Sequence, residues 1–151
     1  MKFAEALAER TDCQKRLEEI RDRLERSARI QEGEHPAEDP SELLSETNSI
    51  YARLLELISA INRTNSRTAF DNERTISDAI AERDVLGKQR DFLARVAGSA
   101  YSRWDRYSKS EVRYVMTVPV GKLRTDADQL AKRYRELDLR IQELNWRVEL
   151  I

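Results

Sequence analysis

Cysteine, histidine, glycine and proline are all scarce in this chain of 151 residues, and each scarcity removes a class of function. Cys13 is the lone cysteine, so an internal disulfide and a multi-cysteine zinc site are both excluded. His35 is the lone histidine, which removes the paired Glu-x-x-His motifs of a di-iron bundle site. Glu32-x-x-His35 has that spacing once, but it falls on a break at Gly33. Four glycines and three prolines leave few helix breakers. Neither a P-loop nor a dinucleotide fingerprint occurs. No apolar run approaches the roughly 20 residues that a membrane span needs. An excess of one charge is also lacking. The net charge is −1, so no global field draws nucleic acid or anionic lipid. Met1 to Glu9 carries charges where a secretory signal needs an apolar core, and the cytoplasm is the expected location.

What the chain has is charge and helix formers. Charged residues make up 36% of it, above the usual quarter, and Ala, Glu, Lys, Leu and Arg supply about half of it, the composition of long helices or coiled coils. The expected fold is mainly α: one domain over 1–151, a bundle of four long helices with coiled-coil character. A small β element is expected near 67–76 and 111–118.

The first helix is expected over about 2–31, on the stripe Phe3, Ala6, Arg10, Cys13, Leu17, Ile20 and Leu24. Acid-before-base pairs such as Asp12–Arg16 and Glu19–Arg23 would support it at about 0.2–0.5 kcal/mol each. Gly33 would end it in a left-handed conformation. Asp39-Pro40-Ser41-Glu42 reads as a start signal, with Asp39 as cap, Pro40 at the first helical position and Glu42 completing a capping box. The second helix, about 40–65, carries Leu43, Ile50, Leu54, Leu57, Ile58 and Ile61 on one stripe. Thr68, Phe70, Thr75 and Ile76 around Asp71-Asn72 suggest a short hairpin, because Asp and Asn favour tight turns. Thr75-x-x-Asp78 can cap a third helix, expected over 76–107 with Arg83 and Arg90 interrupting its apolar seam. Glu111 to Val120 is rich in β-branched and aromatic residues and suits a strand. The fourth helix, about 120–149, alternates four–three steps through Leu123, Ala127, Leu130, Tyr134, Leu137, Ile141, Leu144 and Val148. That heptad would serve a parallel partner chain or an antiparallel seam within this chain.

Candidate chemistry is sparse, with no catalytic residue, cofactor or metal site expected. Cys13 lies on an apolar stripe, where it acts as a small hydrophobe. The carboxylate pairs Glu42–Glu46 and Asp78–Glu82 have the spacing for magnesium, but such pairs are mostly surface charge. Tyr101 to Tyr107 interleaves aromatics with arginines, followed by Lys109 and Arg113, a pattern that stacks bases and pairs phosphates. Trp104 and Tyr107 also fit the core seam of the third helix, with the arginines paired to acids, and nucleic acid is not the expected partner. The most informative polar stretch is Asn62, Arg63, Thr64 and Asn65, set against Arg83 and Asp84. A buried Arg83 needs a carboxylate or carbonyl partner. The group is either a network fixing helix register or a site for a phosphate-bearing small molecule or nucleotide.

Ile61 to Asn65, Arg83-Asp84-Val85-Leu86, Arg106-Tyr107-Ser108-x-Ser110-Glu111 and Arg140 to Trp146 resemble motifs of a family of uncharacterised small bacterial helical proteins. Gln31-Glu32-Gly33-Glu34 with Glu38-Asp39-Pro40 resembles its first loop. Members are sometimes labelled septicolysin. The resemblance implies a helical fold and brings no catalytic residues. The label implies a cytolysin, yet the polar helix faces mix Glu with Arg, unlike the basic face of a membrane-surface helix. The expected function is that of a structural or interaction protein that associates with itself, as a dimer or higher oligomer, through the seam Leu123, Leu130, Tyr134, Leu137, Ile141, Leu144 and Val148.

Overall fold

The computed structural model describes residues 1–100 and 113–151, and in them four helices account for nearly all the regular structure: α1 (Phe3–Ser27), α2 (Pro40–Arg67), α3 (Ile76–Ser99) and α4 (Val120–Arg147). The chain divides into two compact units, Met1–Thr68 with Glu143–Ile151, and Ala69–Gln142.

The first unit is built on α1 and α2, which run antiparallel. Arg53 bonds Glu9, Arg16 bonds Glu46 and Arg23 bonds Glu38, so position rises along one helix as it falls along the other. Arg16 and Arg53 reach across to the opposite helix, and Arg23 reaches the segment just before α2. Arg16 and Arg23 therefore do not bond the acids expected for them one turn back on their own helix. Ile20, Leu43 and Ile50 form a buried cluster, with Cys13, Leu17 and Leu24 packed against it. Full burial of side chains such as Phe3, Ile20 and Leu57 is worth about 1.5–3 kcal/mol each. The unit is closed by its outer segments. The Phe3 amide donates to the Val148 carbonyl at 2.9 Å, the Leu150 amide to the Met1 carbonyl at 3.0 Å, and Lys2 and Glu149 form a single antiparallel bridge.

Helix ends follow local chemistry. Asp39 caps α2 and accepts from the Ser41 amide at 2.8 Å, with Pro40 at the first helical position. The expected capping box is not completed, since the Glu42 side chain does not take the Asp39 amide. α1 stops at Ser27, short of residue 31, with Ile30 46% exposed. A helical turn that buries no apolar face gains little. Gly33 does adopt a positive φ of 90°, but it does so in a turn closed by Glu34 N–H on the Gln31 carbonyl. It is not the cap of α1.

The second unit pairs α3 with the greater part of α4. Arg83 meets Asp138, and the Cβ position of Gly87 faces the Tyr134 ring, so these helices are also antiparallel. Ala79, Leu86, Leu137 and Ile141 are buried together, with Phe70, Ile80, Leu130 and Tyr134 against them. Thr75 and Asp78 form the expected reciprocal cap of α3.

No strand occurs among the described residues. The hairpin expected over 67–76 is a tight turn with one isolated bridge, Ala69 to Thr75. Asp71 Oδ1 takes the Glu73 and Arg74 amides at 3.1 and 2.9 Å, which leaves no length for a ladder. Residues 113–119 are irregular and exposed, without the strand expected there. The C-terminal part expected for the third helix, 101–107, lies outside the described residues, as does most of the aromatic–basic stretch 101–113.

Candidate functional site

The polar residues singled out along the second helix divide sharply by burial. Asn62 and Arg63 are exposed. Thr64 is fully buried. Its hydroxyl donates to the Ala60 carbonyl at 2.9 Å and accepts the Ile151 amide at 3.0 Å. Asn65 is half-buried, and its Oδ1 has no hydrogen-bond partner among the described residues. Thr64 thus holds the terminal residue within the first unit, a structural task.

Arg83 and Asp84 belong to the second unit. The Arg83 side chain is only 21% exposed and each of its three nitrogens donates a hydrogen bond. Nη1 donates to Asp138 Oδ1 at 3.0 Å, while Nε and Nη2 donate to Asp84 Oδ1 at 3.0 and 2.8 Å. Burial works against its charge, and these two carboxylates more than offset that, holding the guanidinium above its ordinary value. A seam arginine flanked by two acids fixes the register of α3 on α4. Two carboxylates already balance its charge, which leaves little attraction for an anion.

Further up the same pair of helices, Arg90 lies 5.2 Å from the Tyr134 ring centre. The two charged seam positions of α3 are therefore explained by groups on α4. Arg74 and Arg140 also approach one ring, that of Phe70, at 5.2 and 4.5 Å. This cation–aromatic cluster ties the Asp71 turn to α4, with Arg74 also paired to Asp71 and Glu82. Sequence spacing gives no sign of it, since Phe70 and Arg74 lie in the turn and Arg140 lies far along the chain on α4.

The other candidates are occupied or solvated. Glu46 pairs with Arg16, Asp78 caps α3, and Glu82 pairs with Arg74 and Arg133. His35 and Glu42 are exposed. Among the described residues no group of three or more His, Cys, Asp or Glu is placed to hold a metal ion. No helix of the described residues is long and apolar enough to cross a membrane.

The α4 seam is partly covered inside the chain. Leu137 and Ile141 are buried, while Leu123, Leu130, Tyr134, Leu144 and Val148 are half-buried. Of the two packings that the heptad allows, the antiparallel one with α3 is the one formed over residues 130–141.

A second apolar stripe, missed in the sequence, is not covered. Leu44, Tyr51, Leu55 and Ile58 on α2 are 53%, 56%, 68% and 38% exposed. Ile58 was expected on the core stripe with Leu57, but it lies beside that stripe and faces outward. The signal was available: Leu44, Asn48, Tyr51, Leu55, Ile58 and Asn62 alternate steps of four and three, parallel to the buried run from Leu43 to Thr64.

Comparison with known proteins gives a family and a solved structure, neither with a stated chemistry. A model of DUF6847, described as a family of unknown function, matches residues 10–150. A crystal structure described as a functionally unknown conserved protein from Corynebacterium diphtheriae is 45% identical, with a TM-score of 0.95. That match covers 100% of this chain and 99% of the other. No curated protein matches the chain. Neither match carries the septicolysin label.

Proposed function

The chain belongs to DUF6847, a family of unknown function, and from that premise we propose that it is a cytoplasmic interaction protein that associates with itself through α2. One observation carries this reading. Along α2 the exposed stripe and its flank comprise Leu44, Ser45, Asn48, Tyr51, Ala52, Leu55, Ile58, Ser59, Asn62, Asn65 and Ser66, none of them charged, with exposed Arg63 the one charge at the edge that carries Ser45 and Ser59. In a chain that is 36% charged, about four of eleven surface positions would carry charge by composition alone. Depletion of charge around exposed aromatic and aliphatic side chains is the compositional mark of an interface core. The charges of α2 sit elsewhere, with Glu46 and Arg53 turned to α1. Because the α4 seam is used within the chain, self-association is better served by this face than by Leu123 to Val148.

Sedimentation or light scattering at micromolar concentration tests the reading. A dimer or higher oligomer is expected, and Leu55→Asp should dissociate it while leaving helix content unchanged. A monomeric wild type would end the proposal.

A phosphate or nucleotide module is the weaker reading, because Asp84 and Asp138 neutralise Arg83 and repel a further anion. The cytolytic activity implied by the septicolysin label is supported by no feature of the described residues.

A further inference from the structure

We infer that two copies pair through α2 in parallel and in register, with Asn48 and Asn62 each meeting its own counterpart. This rests on the self-association proposed above and adds its geometry.

The stripe fits a heptad seam in which Asn48, Leu55 and Asn62 occupy one core position and Leu44, Tyr51 and Ile58 the other. Pairing requires that a surface be complementary to itself. In a parallel, in-register pair every residue of the seam faces its twin. Leu55 packs on Leu55, Tyr51 on Tyr51, and the amides of Asn48 and Asn62 face amides, which donate and accept equally well. An antiparallel pair centred on the same stripe sets Asn48 against Ile58 and Asn62 against Leu44, burying each amide against a hydrocarbon. Polar asparagines at such core positions are a known device for fixing register and a two-stranded state.

The flanks agree with this choice. Ser45, Ala52 and Ser59 edge the stripe on its outer side, so the side chains next to the seam are short, and the exposed charges Glu56 and Arg63 lie one position further round the helix. No like charges oppose one another across the seam. The exposed parts of Leu44, Tyr51, Leu55 and Ile58 amount to roughly 400–500 Å² per copy, the size of the largest apolar patch on a typical monomer, which is often functional. With Ser45, Asn48, Ala52, Ser59 and Asn62 added, the face approaches the roughly 800 Å² per partner of a standard interface. The face is built from one helix of one compact unit, so it is complete in each copy.

Single-cysteine variants test the register directly. In a Cys13→Ala background, Asn48→Cys and Asn62→Cys are each exposed to a mild oxidant, and their masses are measured before and after oxidation. Both should be dimers before oxidation and should convert to disulfide-linked dimers at least tenfold faster than a control cysteine at Ser49, off the seam. These two positions lie about 21 Å apart along the helix, so linkage at both requires parallel alignment over the whole stripe. A dimer by mass in which neither or only one of the two links faster than the control overturns the register and leaves self-association standing. A monomer by mass, in the wild type as in the variants, overturns both.

Discussion

Replacing Arg83 by Met removes one guanidinium and keeps most of the hydrocarbon stem that packs between α3 and α4. The Arg83 side chain is 21% exposed and its partner Asp138 is 32% exposed. Their hydrogen bond is therefore neither an exposed pair, worth about 0–1 kcal/mol, nor a fully buried one, whose breakage costs about 3–5 kcal/mol. Asp84 is 53% exposed and adds only a few tenths of a kcal/mol by the same reasoning. Loss of the Asp138 bond, with a largely covered carboxylate left unpaired, brings the sum to about 2 kcal/mol. For a chain of this length that is a fall in Tm of about 4–8 °C. Urea unfolding at pH 7 and thermal melting measure it. Adding Asp138→Asn to Arg83→Met should recover about 1 kcal/mol, because the orphaned charge is then gone. If Arg83→Met lies within about 0.5 kcal/mol of wild type, the size of an ordinary surface change, Arg83 does not fix the register of α3 on α4. If inorganic phosphate raises the Tm of wild type and not of Arg83→Met, the arginine binds anions, and the structural reading of this pair is refuted outright.

Acid should loosen the turn before α3. Hydrogen bonds from the Arg74 side chain, then from the Glu73 amide, hold Asp71 at about 2, below its ordinary 3.8. A depressed carboxylate stabilises the fold above its unfolded value and loses that contribution as pH falls through the folded one. The stability gap between wild type and Asp71→Asn should then shrink from pH about 4 toward about 2; a gap constant with pH refutes the assignment. At Gly87 an added Cβ would lie 3.2 Å from Tyr134 Cε2. Gly87→Ala should stay within about 0.5 kcal/mol of wild type in urea melts, as roughly 1 kcal/mol of helix propensity offsets the tight contact. Gly87→Leu has no such margin and should lose about 1–3 kcal/mol; an unchanged melt would show that Tyr134 does not close over α3. Asn145 is 6% exposed and its Oδ1 has no hydrogen-bond partner among the described residues. Asn145→Leu should raise stability by about 1 kcal/mol, and a marked loss would mean that the amide does bond within the unit.

Much of the helical framework was legible because helix signals are local. Asp39-Pro40 and Thr75-x-x-Asp78 act within one turn of chain, and α2 and α3 begin where those residues place them, while the heptad of Leu130, Leu137 and Ile141 marks the body of α4. The need of Arg83 for an acid was legible too, since burial of an unpaired charge is costly. The identity of that acid was not. Asp138 lies 55 residues away, and only the antiparallel docking of α3 on α4 brings it there. The supposed hairpin failed for a related reason. Strand formers around Asp71 satisfy a composition rule, but a ladder needs a second edge of sufficient length, and the Asp71 side chain closes the chain on itself within three residues.

The misplacement of Ile58 shows where periodicity stops being informative. Leu57 and Ile58 are neighbours in sequence, both fit a four–three stripe on α2, and both are aliphatic. A helix with two adjacent apolar stripes spans an arc wider than one partner helix covers, so sequence says that both need cover and is silent on which receives it inside the chain. The structure assigns Leu57, 1% exposed, to the core and leaves Ile58 at 38% beside Leu55 at 68%. The same ambiguity ran the other way in α4, where one stripe could serve an internal or an external partner and α3 takes up its central part. Helical sequences thus encode the number of surfaces that must be buried before they encode what buries them. In this chain that count exceeds the helices available to α2 within its own unit, and the surplus is the uncharged face between Leu44 and Asn62.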